Sequence, residues 1–348
     1  MEIATRRFLL QDFVESDRWR SLSYGESAEF VTIRVGFNDT IDDMIKNIRS
    51  QQEVLALAHQ NGLTIQEDSL QFNESGLDFQ VVLATDTNGE RWILRLPRRE
   101  DVLLSVDKEK RILETIAPLL SVEVPRWVIC TDELIAYRAL NGVPTATIDT
   151  EAKAYMWEID PANVPDRFYT SLAKGMVSLH QISIEQLRAT GLPVQTAAEV
   201  RDRMKQRMDA VRVEFGVSQA LWERWQNWLQ NDEIWMKETV LTHGDLHAGH
   251  ILIDAQAQVT GFIDWTEASV TDPARDFVAY YRIFGREALD KLIAAYAAAG
   301  GRTWPRMAEH VIELNAAVAI DIAEFALKSG LDEYKQMARQ SLSAIESD

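Results

Sequence analysis

Leu241-Thr242-His243-Gly244-Asp245-Leu246-His247-Ala248-Gly249-His250-Ile251-Leu252-Ile253-Asp254 places three of the chain's six histidines within eight residues, beside an aspartate. Asp264 follows His250 by fourteen positions, in Gly261-Phe262-Ile263-Asp264-Trp265. The apolar runs Ile251–Ile253 and Val259–Ile263 bracket a polar stretch at 254–258, the pattern of a hairpin and its turn. Two chemistries use such a cluster. Zinc-dependent hydrolysis would take His243, Asp245, His247 and His250 as ligands. Tetrahedral sites usually recruit one ligand from a distant segment, and only His59, His180 and His310 remain to supply an imidazole. Phosphoryl transfer instead needs an Asp that accepts the proton of the attacking alcohol, a metal-holding residue shortly after it, and a further Asp that bridges Mg2+ to the nucleotide phosphates. Asp245, His250 and Asp264 have that order and spacing.

Outward from this segment the chain changes character. Upstream, a helical pattern from about residue 46 ends near Gly62, and three β-rich runs follow at Leu63–Phe72, Phe79–Thr85 and Trp92–Leu96. Asp86-Thr87-Asn88-Gly89 reads as the turn between the last two. Helical spacing returns over Asp101–Ile116, and Pro125–Thr131 and Glu133–Leu140 read as two further strands. After Gly142 helices dominate, at about Asp166–Ile182, Thr196–Phe215, Ser218–Asn231 and from Pro273 to Ile345. Within the last of these, Met307, Val311, Leu314, Val318, Ile322 and Phe325 recur every three or four residues, one apolar face of a single helix packed in the core. The reading is α+β: a small β-rich lobe with one long helix, then a larger, mostly helical lobe.

Composition bounds the function. At 348 residues, 46% hydrophobic and 26% charged, the chain is long enough for two lobes with cores of their own. The net charge of −18 repels nucleic-acid backbones and anionic membranes, so neither is expected as a partner. The single cysteine, Cys130, forms no internal disulfide, and no apolar run approaches the length of a membrane span. The first residues carry charges inside their short apolar stretch, unlike a secretory signal, so a cytoplasmic location is expected.

The segments HGDLHAGHILID (243–254) and GFIDWTEASVTDPARDF (261–277) resemble the aminoglycoside-phosphotransferase superfamily, which has a bilobal protein-kinase-like fold. Within it the chain is similar to the macrolide 2'-phosphotransferases. That closer likeness rests on GLDFQVVLATDTNGERWILRLPRR (76–99), on His250 where most relatives have Asn, on IDWTEA (263–268) and on AAGGRTWPRMAEHVIE (298–313). It covers about residues 46–346.

The resemblance implies a nucleotide-binding lobe at 46–141 and a lobe at 142–348 carrying the catalytic loop and the macrolide pocket. Residues 1–45 would be an extension of unknown role. It implies transfer of the γ-phosphate of GTP or ATP, with Mg2+, to the 2'-hydroxyl of the drug's amino sugar, which inactivates the antibiotic. Asp245 would be the catalytic base and Asp264 would hold the metal; His250 would either hold it too or, since Mg2+ prefers oxygen ligands to imidazole, position phosphate or a metal-bound water. His243 and His247 would brace the loop, and Asp272 and Asp276 would start the helix that supports it. Ser75 and Gly76 lie where the loop over the phosphates is expected. Arg95 stands where a phosphate-binding Lys is usual, and Glu109 matches its helix partner; Arg binds phosphate with a fork but is not interchangeable with Lys. Backbone near Ala136–Ala139, with Ala136 and Arg138 as its markers, would recognise the base. A macrolide's cationic amine calls for a carboxylate in a largely apolar cleft, and Asp321 sits at the edge of the Met307–Phe325 stripe. The chain is expected to act as a monomer. An aminoglycoside or another hydroxylated small molecule as acceptor, or a non-catalytic nucleotide-binding module, are the alternatives.

Overall fold

The computed structural model describes residues 48–73, 78–149 and 154–343. Ser75, Gly76 and the extension at 1–45 lie outside them. The chain divides into two compact units: residues up to Asp107 with Arg126–Ala139 and Ile148–Met156, and Lys108–Pro125 with Leu140–Thr147 and the chain from Trp157 onward.

The first unit is built on an antiparallel sheet of β1 (Gln71–Asn73), β2 (Phe79–Thr85), β3 (Arg91–Pro97), β4 (Trp127–Cys130) and β5 (Ile135–Arg138), in the order β1-β2-β3-β5-β4. The β2–β3 hairpin closes with Thr85 opposite Arg91. The Asp86 carboxylate secures that turn by accepting the Asn88 and Glu90 N–H groups and the Trp92 indole N–H. Gly89, at φ 85°, makes the left-handed step that other residues resist. Helix α1 (Gln51–Gln60) starts at a reciprocal cap between Ser50 and Glu53. It buries Val54, Leu57 and Ala58 among Val82, Trp92, Leu94 and Leu134 of the sheet. The other face of the sheet buries Phe79, Ile135 and Tyr137 with Val102 and Val106. The expected strand over Leu63–Phe72 shrinks to β1, preceded by an Ile65 bridge to Asp86 and a helical turn at Glu67–Ser69. Ser69 favours that turn over a ladder by donating its hydroxyl to the Gln66 carbonyl.

In chain order the remaining elements are α2 (Leu103–Ile116), β6 (Val143–Pro144), β7 (Ala146–Asp149), β8 (Ala154–Trp157), α3 (Asp166–His180), α4 (Ile184–Leu187), α5 (Ala197–Phe215) and α6 (Gln219–Gln230). They continue with β9 (Val240–Thr242), β10 (Ile251–Ile253), β11 (Val259–Phe262), β12 (Ser269–Thr271), α7 (Arg275–Ala298), α8 (Met307–Ala316), α9 (Val318–Ser329) and α10 (Asp332–Ser343). Thr196 and Ser218 cap α5 and α6, as their sequence positions suggest. The Met307–Phe325 stripe is a correction: it is two helices, α8 and α9, broken at Ala317, whose ψ of −1° leaves helical geometry. The apolar periodicity survives the break because both helices bury the same side of the stripe. No helix among the described residues is long and apolar enough to cross a membrane.

Candidate active site

Five short strands hold the loop 243–250. β9 pairs with β12, and β10 pairs with β11 and β6. The hairpin turn falls at 254–258, where the Asp254 carboxylate accepts the Gln256 and Gln258 N–H groups. Gly244 is obligatory in the loop: its φ is 86°, and a Cβ would lie 2.5 Å from the Glu267 carbonyl oxygen. Asp276, buried in the first turn of α7, anchors the loop from behind. Its carboxylate accepts the His243 N–H at 2.9 Å and the Gly244 N–H at 2.8 Å. His180 Nε2, 3.0 Å away, donates to the same carboxylate, and His180 Nδ1 is 2.8 Å from the Tyr296 hydroxyl. Burial alone would raise the Asp276 pKa. The His180 hydrogen bond, the nearby imidazoles and the Gly244 N–H outweigh it and hold the carboxyl below its ordinary value.

The histidines differ in what their ring nitrogens do. His243 is fully buried against Trp265, with Nδ1 accepting the Asp245 N–H at 3.3 Å and Nε2 donating to the Ile263 carbonyl at 3.0 Å. Burial pushes its pKa down to about 4. His247 Nδ1 accepts the Gly249 N–H at 3.0 Å, so its proton sits on Nε2, 4.0 Å from Asp245 Oδ2. Burial holds this imidazole well below its ordinary pKa too. His250 is the reverse. Its Nδ1 faces the Asp245 carbonyl at 2.9 Å and must donate, while Nε2 lies 3.7 Å from Asp264 Oδ2.

Asp245 itself is buried, with Oδ2 3.5 Å from His250 Nδ1. Asp264 is half-exposed and sits at φ 63°, a left-handed conformation that Asp tolerates better than most residues. Its Oδ1 accepts the Thr266 hydroxyl at 2.9 Å, and the Ile263 N–H donates to the His250 carbonyl at 3.0 Å, tying the two segments together.

Donor chemistry separates the two sequence readings. Side-chain atoms of Asp245, His247 and His250 lie within 4.8 Å of one another. Yet both nitrogens of His243 are engaged, and His247 reaches a metal through Nε2 only by giving up its Gly249 contact and moving its proton. The all-local zinc set therefore does not form in this arrangement. A site of His250 Nε2 and an Asp264 oxygen, open to further oxygen ligands, fits a divalent cation of the Mg2+ or Mn2+ kind.

In the first unit, Arg95 is buried on β3 with its guanidinium 4.1 Å above the Phe79 ring and 5.7 Å from that of Trp127. Glu109, on the stretch of α2 that belongs to the second unit, is buried in its turn. Ala136 lies on β5, between β3 and β4, opposite Leu94 on one side and Ile129 on the other. Arg138, at the end of that strand, pairs with Glu90 and lies over the Trp92 ring. Asp321 is in the first turn of α9, where Arg207 of α5 binds it together with Glu324. Arg207 had no role in the sequence reading, and His310 entered it only as a spare imidazole for the zinc alternative. Their partners are 114 and 38 positions away, and no local pattern marks such pairs.

Comparison with known proteins agrees with this geometry. The model of the phosphotransferase enzyme family matches residues 69–310. Macrolide 2'-phosphotransferase MphH from Brachybacterium faecium, in its apoenzyme structure, is 36% identical, with a TM-score of 0.80 over 86% of this chain and 99% of its own. A macrolide 2'-phosphotransferase of type I is 39% identical, with a TM-score of 0.75 over 85% and 97% of the two chains. The uncharacterized protein YcbJ of Bacillus subtilis is 44% identical over 293 residues, 83% of this chain and 95% of its own. An aminoglycoside 2'-phosphotransferase-IIIa in its GDP complex, 20% identical with a TM-score of 0.67, shares the fold. With a β-sheet region followed by a helical one in the kinase-like arrangement, and with Asp245, His250 and Asp264 gathered around one loop, this chain belongs to the phosphotransferase enzyme family.

Proposed function

We propose that the protein is a macrolide kinase that transfers the γ-phosphate of GTP or ATP to the 2'-hydroxyl of the macrolide amino sugar. The observation that carries this reading is the likeness to two macrolide 2'-phosphotransferases over nearly their whole lengths. The site geometry supports it. Asp245 Oδ2 accepts the proton of the sugar hydroxyl as its oxygen bonds to the γ-phosphorus, and the bond from that phosphorus to the β–γ bridging oxygen breaks to release GDP or ADP. His243 and Asp276 fix the loop backbone, and His250 Nδ1, 2.9 Å from the Asp245 carbonyl, ties the far end of the loop to the base. His250 Nε2 and Asp264 would hold Mg2+, which when bound neutralises charge on the transferring phosphates. Arg95 would contact the other phosphates, since a guanidinium forks onto phosphate oxygens.

A second acceptor class has one observation in its favour: the viomycin phosphotransferase of Streptomyces vinaceus is 29% identical over 98 residues, 27% of this chain and 33% of its own. A coupled assay with Mg2+ separates the readings. It supplies GTP or ATP with erythromycin, viomycin, an aminoglycoside or no acceptor, alongside Asp245→Ala. Erythromycin-dependent turnover that disappears in the variant is the expected result. Turnover with viomycin or the aminoglycoside alone would keep the kinase and replace the substrate.

A further inference from the structure

A second buried imidazole network lies behind the loop, outside the groups assigned a part in phosphate transfer. His310, in α8, is 0% exposed and boxed by the rings of Trp228, Trp235 and Trp304. The Trp228 indole N–H can only donate, and it lies 3.1 Å from His310 Nδ1. Nδ1 is therefore bare and the ring proton is on Nε2, which donates to Asp272 Oδ2 at 2.6 Å. Asp272 is 1% exposed and immediately follows β12. Its other oxygen accepts the Ala274 N–H at 2.9 Å, and its carbonyl accepts the Arg275 N–H at 3.2 Å, closing the turn from which α7 starts. One helical turn later, Asp276 holds the N–H groups of His243 and Gly244, the two residues before Asp245.

We propose that His310 is a positioning residue for the catalytic loop: by fixing Asp272 it sets the first turn of α7, and so the direction in which Asp276 grips the loop that carries Asp245. His310 touches no reacting group. A buried carboxylate that loses a charge-assisted hydrogen bond must find another donor or take up a proton, and either change loosens the turn it closes. The catalytic part of this proposal rests on Asp245 being the base; the mechanical part does not.

The full chain with His310→Phe or His310→Gln tests it, by amide hydrogen exchange and by steady-state kinetics. Phe fills the box but offers no polar atom. Gln can donate to Asp272 from its amide nitrogen and accept from Trp228 at its amide oxygen. In His310→Phe, exchange at the His243 and Gly244 amides is expected to rise about tenfold, with the β2–β3 hairpin unchanged as an internal control. In the same variant kcat should fall about tenfold with both KM values within about twofold, and His310→Gln should recover most of each effect. Unchanged exchange at the two amides, or equal loosening in the Gln variant, would overturn the proposal and leave His310 as packing alone. Local loosening with full activity would refute its catalytic part only. If no acceptor is phosphorylated at all, the exchange result still decides the mechanical part. Should His310→Phe fail to fold, Asp272→Asn must show the same local rise, and protected amides there would be equally fatal.

Discussion

If His250 Nε2, 3.7 Å from Asp264 Oδ2, serves as a metal ligand as proposed, the site is a mixed nitrogen and oxygen set, which suits Mn2+ better than Mg2+. His250→Asn is expected to lower the preference for Mn2+ over Mg2+ about tenfold, read as the ratio of binding constants for nucleotide-bound Mn2+ and Mg2+. An unchanged ratio would show that the imidazole is not a ligand. Asp245→Asn keeps the shape of the side chain but removes the proton acceptor. It should cut kcat by about 10²–10⁴ while nucleotide affinity, measured by calorimetry, stays within about twofold. Gly244→Ala places a Cβ against the Glu267 carbonyl in a conformation that Ala resists, so it should disable turnover without touching any reacting group.

At the scale of elements, Asp321, expected at the acceptor cleft, also takes part in the α5–α9 contact. Arg207 bridges Asp321 and Glu324, and nearby Arg224 of α6 meets Glu313 of α8 at 2.9 Å. The acidic residues of α8 and α9 thus fasten helices together. Asp321→Asn should leave the macrolide KM unchanged and lower stability by about 1 kcal/mol, because the pair is only partly buried and Glu324 remains. A large rise in KM with unchanged thermal stability would place Asp321 in the acceptor site. The break at Ala317 belongs to this scale too. Apolar spacing reports which side of a segment is buried, whereas a one-residue departure from helical geometry leaves no mark on it.

For the whole molecule, buried imidazoles make stability depend on pH. His243 has a folded value of about 4 against about 6.5 when unfolded, so between these values the unfolded chain binds a proton that the folded chain refuses. Its contribution is full above about pH 6.5 and falls by about 3 kcal/mol as the pH drops toward 4. His247 acts in the same direction, and the lowered carboxyl of Asp276 is lost only at still lower pH. The melting temperature should therefore decline from pH 6.5 to 4, with a shallower slope in His243→Gln. Protonation also relieves the −18 net charge and opposes the decline, so the comparison with the variant isolates the share of the imidazole. Equal slopes would mean that His243 is not the cause.

Much of the architecture was legible because local rules carry it. Period-two and period-three-to-four apolar patterns located most strands and helices, Thr196 and Ser218 marked helix starts, and Asp86–Gly89 marked a hairpin. The order Asp245, His250, Asp264 on a hairpin was enough to indicate phosphoryl transfer, since short loops fix the spacing of their own side chains. Tertiary structure alone decided the protonation pattern of the histidines, because each ring proton is set by a carbonyl, an N–H or a carboxylate that the fold brings near. It also decided that Ala136 lies between two strands, that Asp321 binds Arg207, and that His310 meets Asp272. The sequence by itself determined which residues share an element and which chemistry they can perform. Which distant group satisfies each buried charge was left to the packing of the chain, because a long-range hydrogen bond has no period and no spacing.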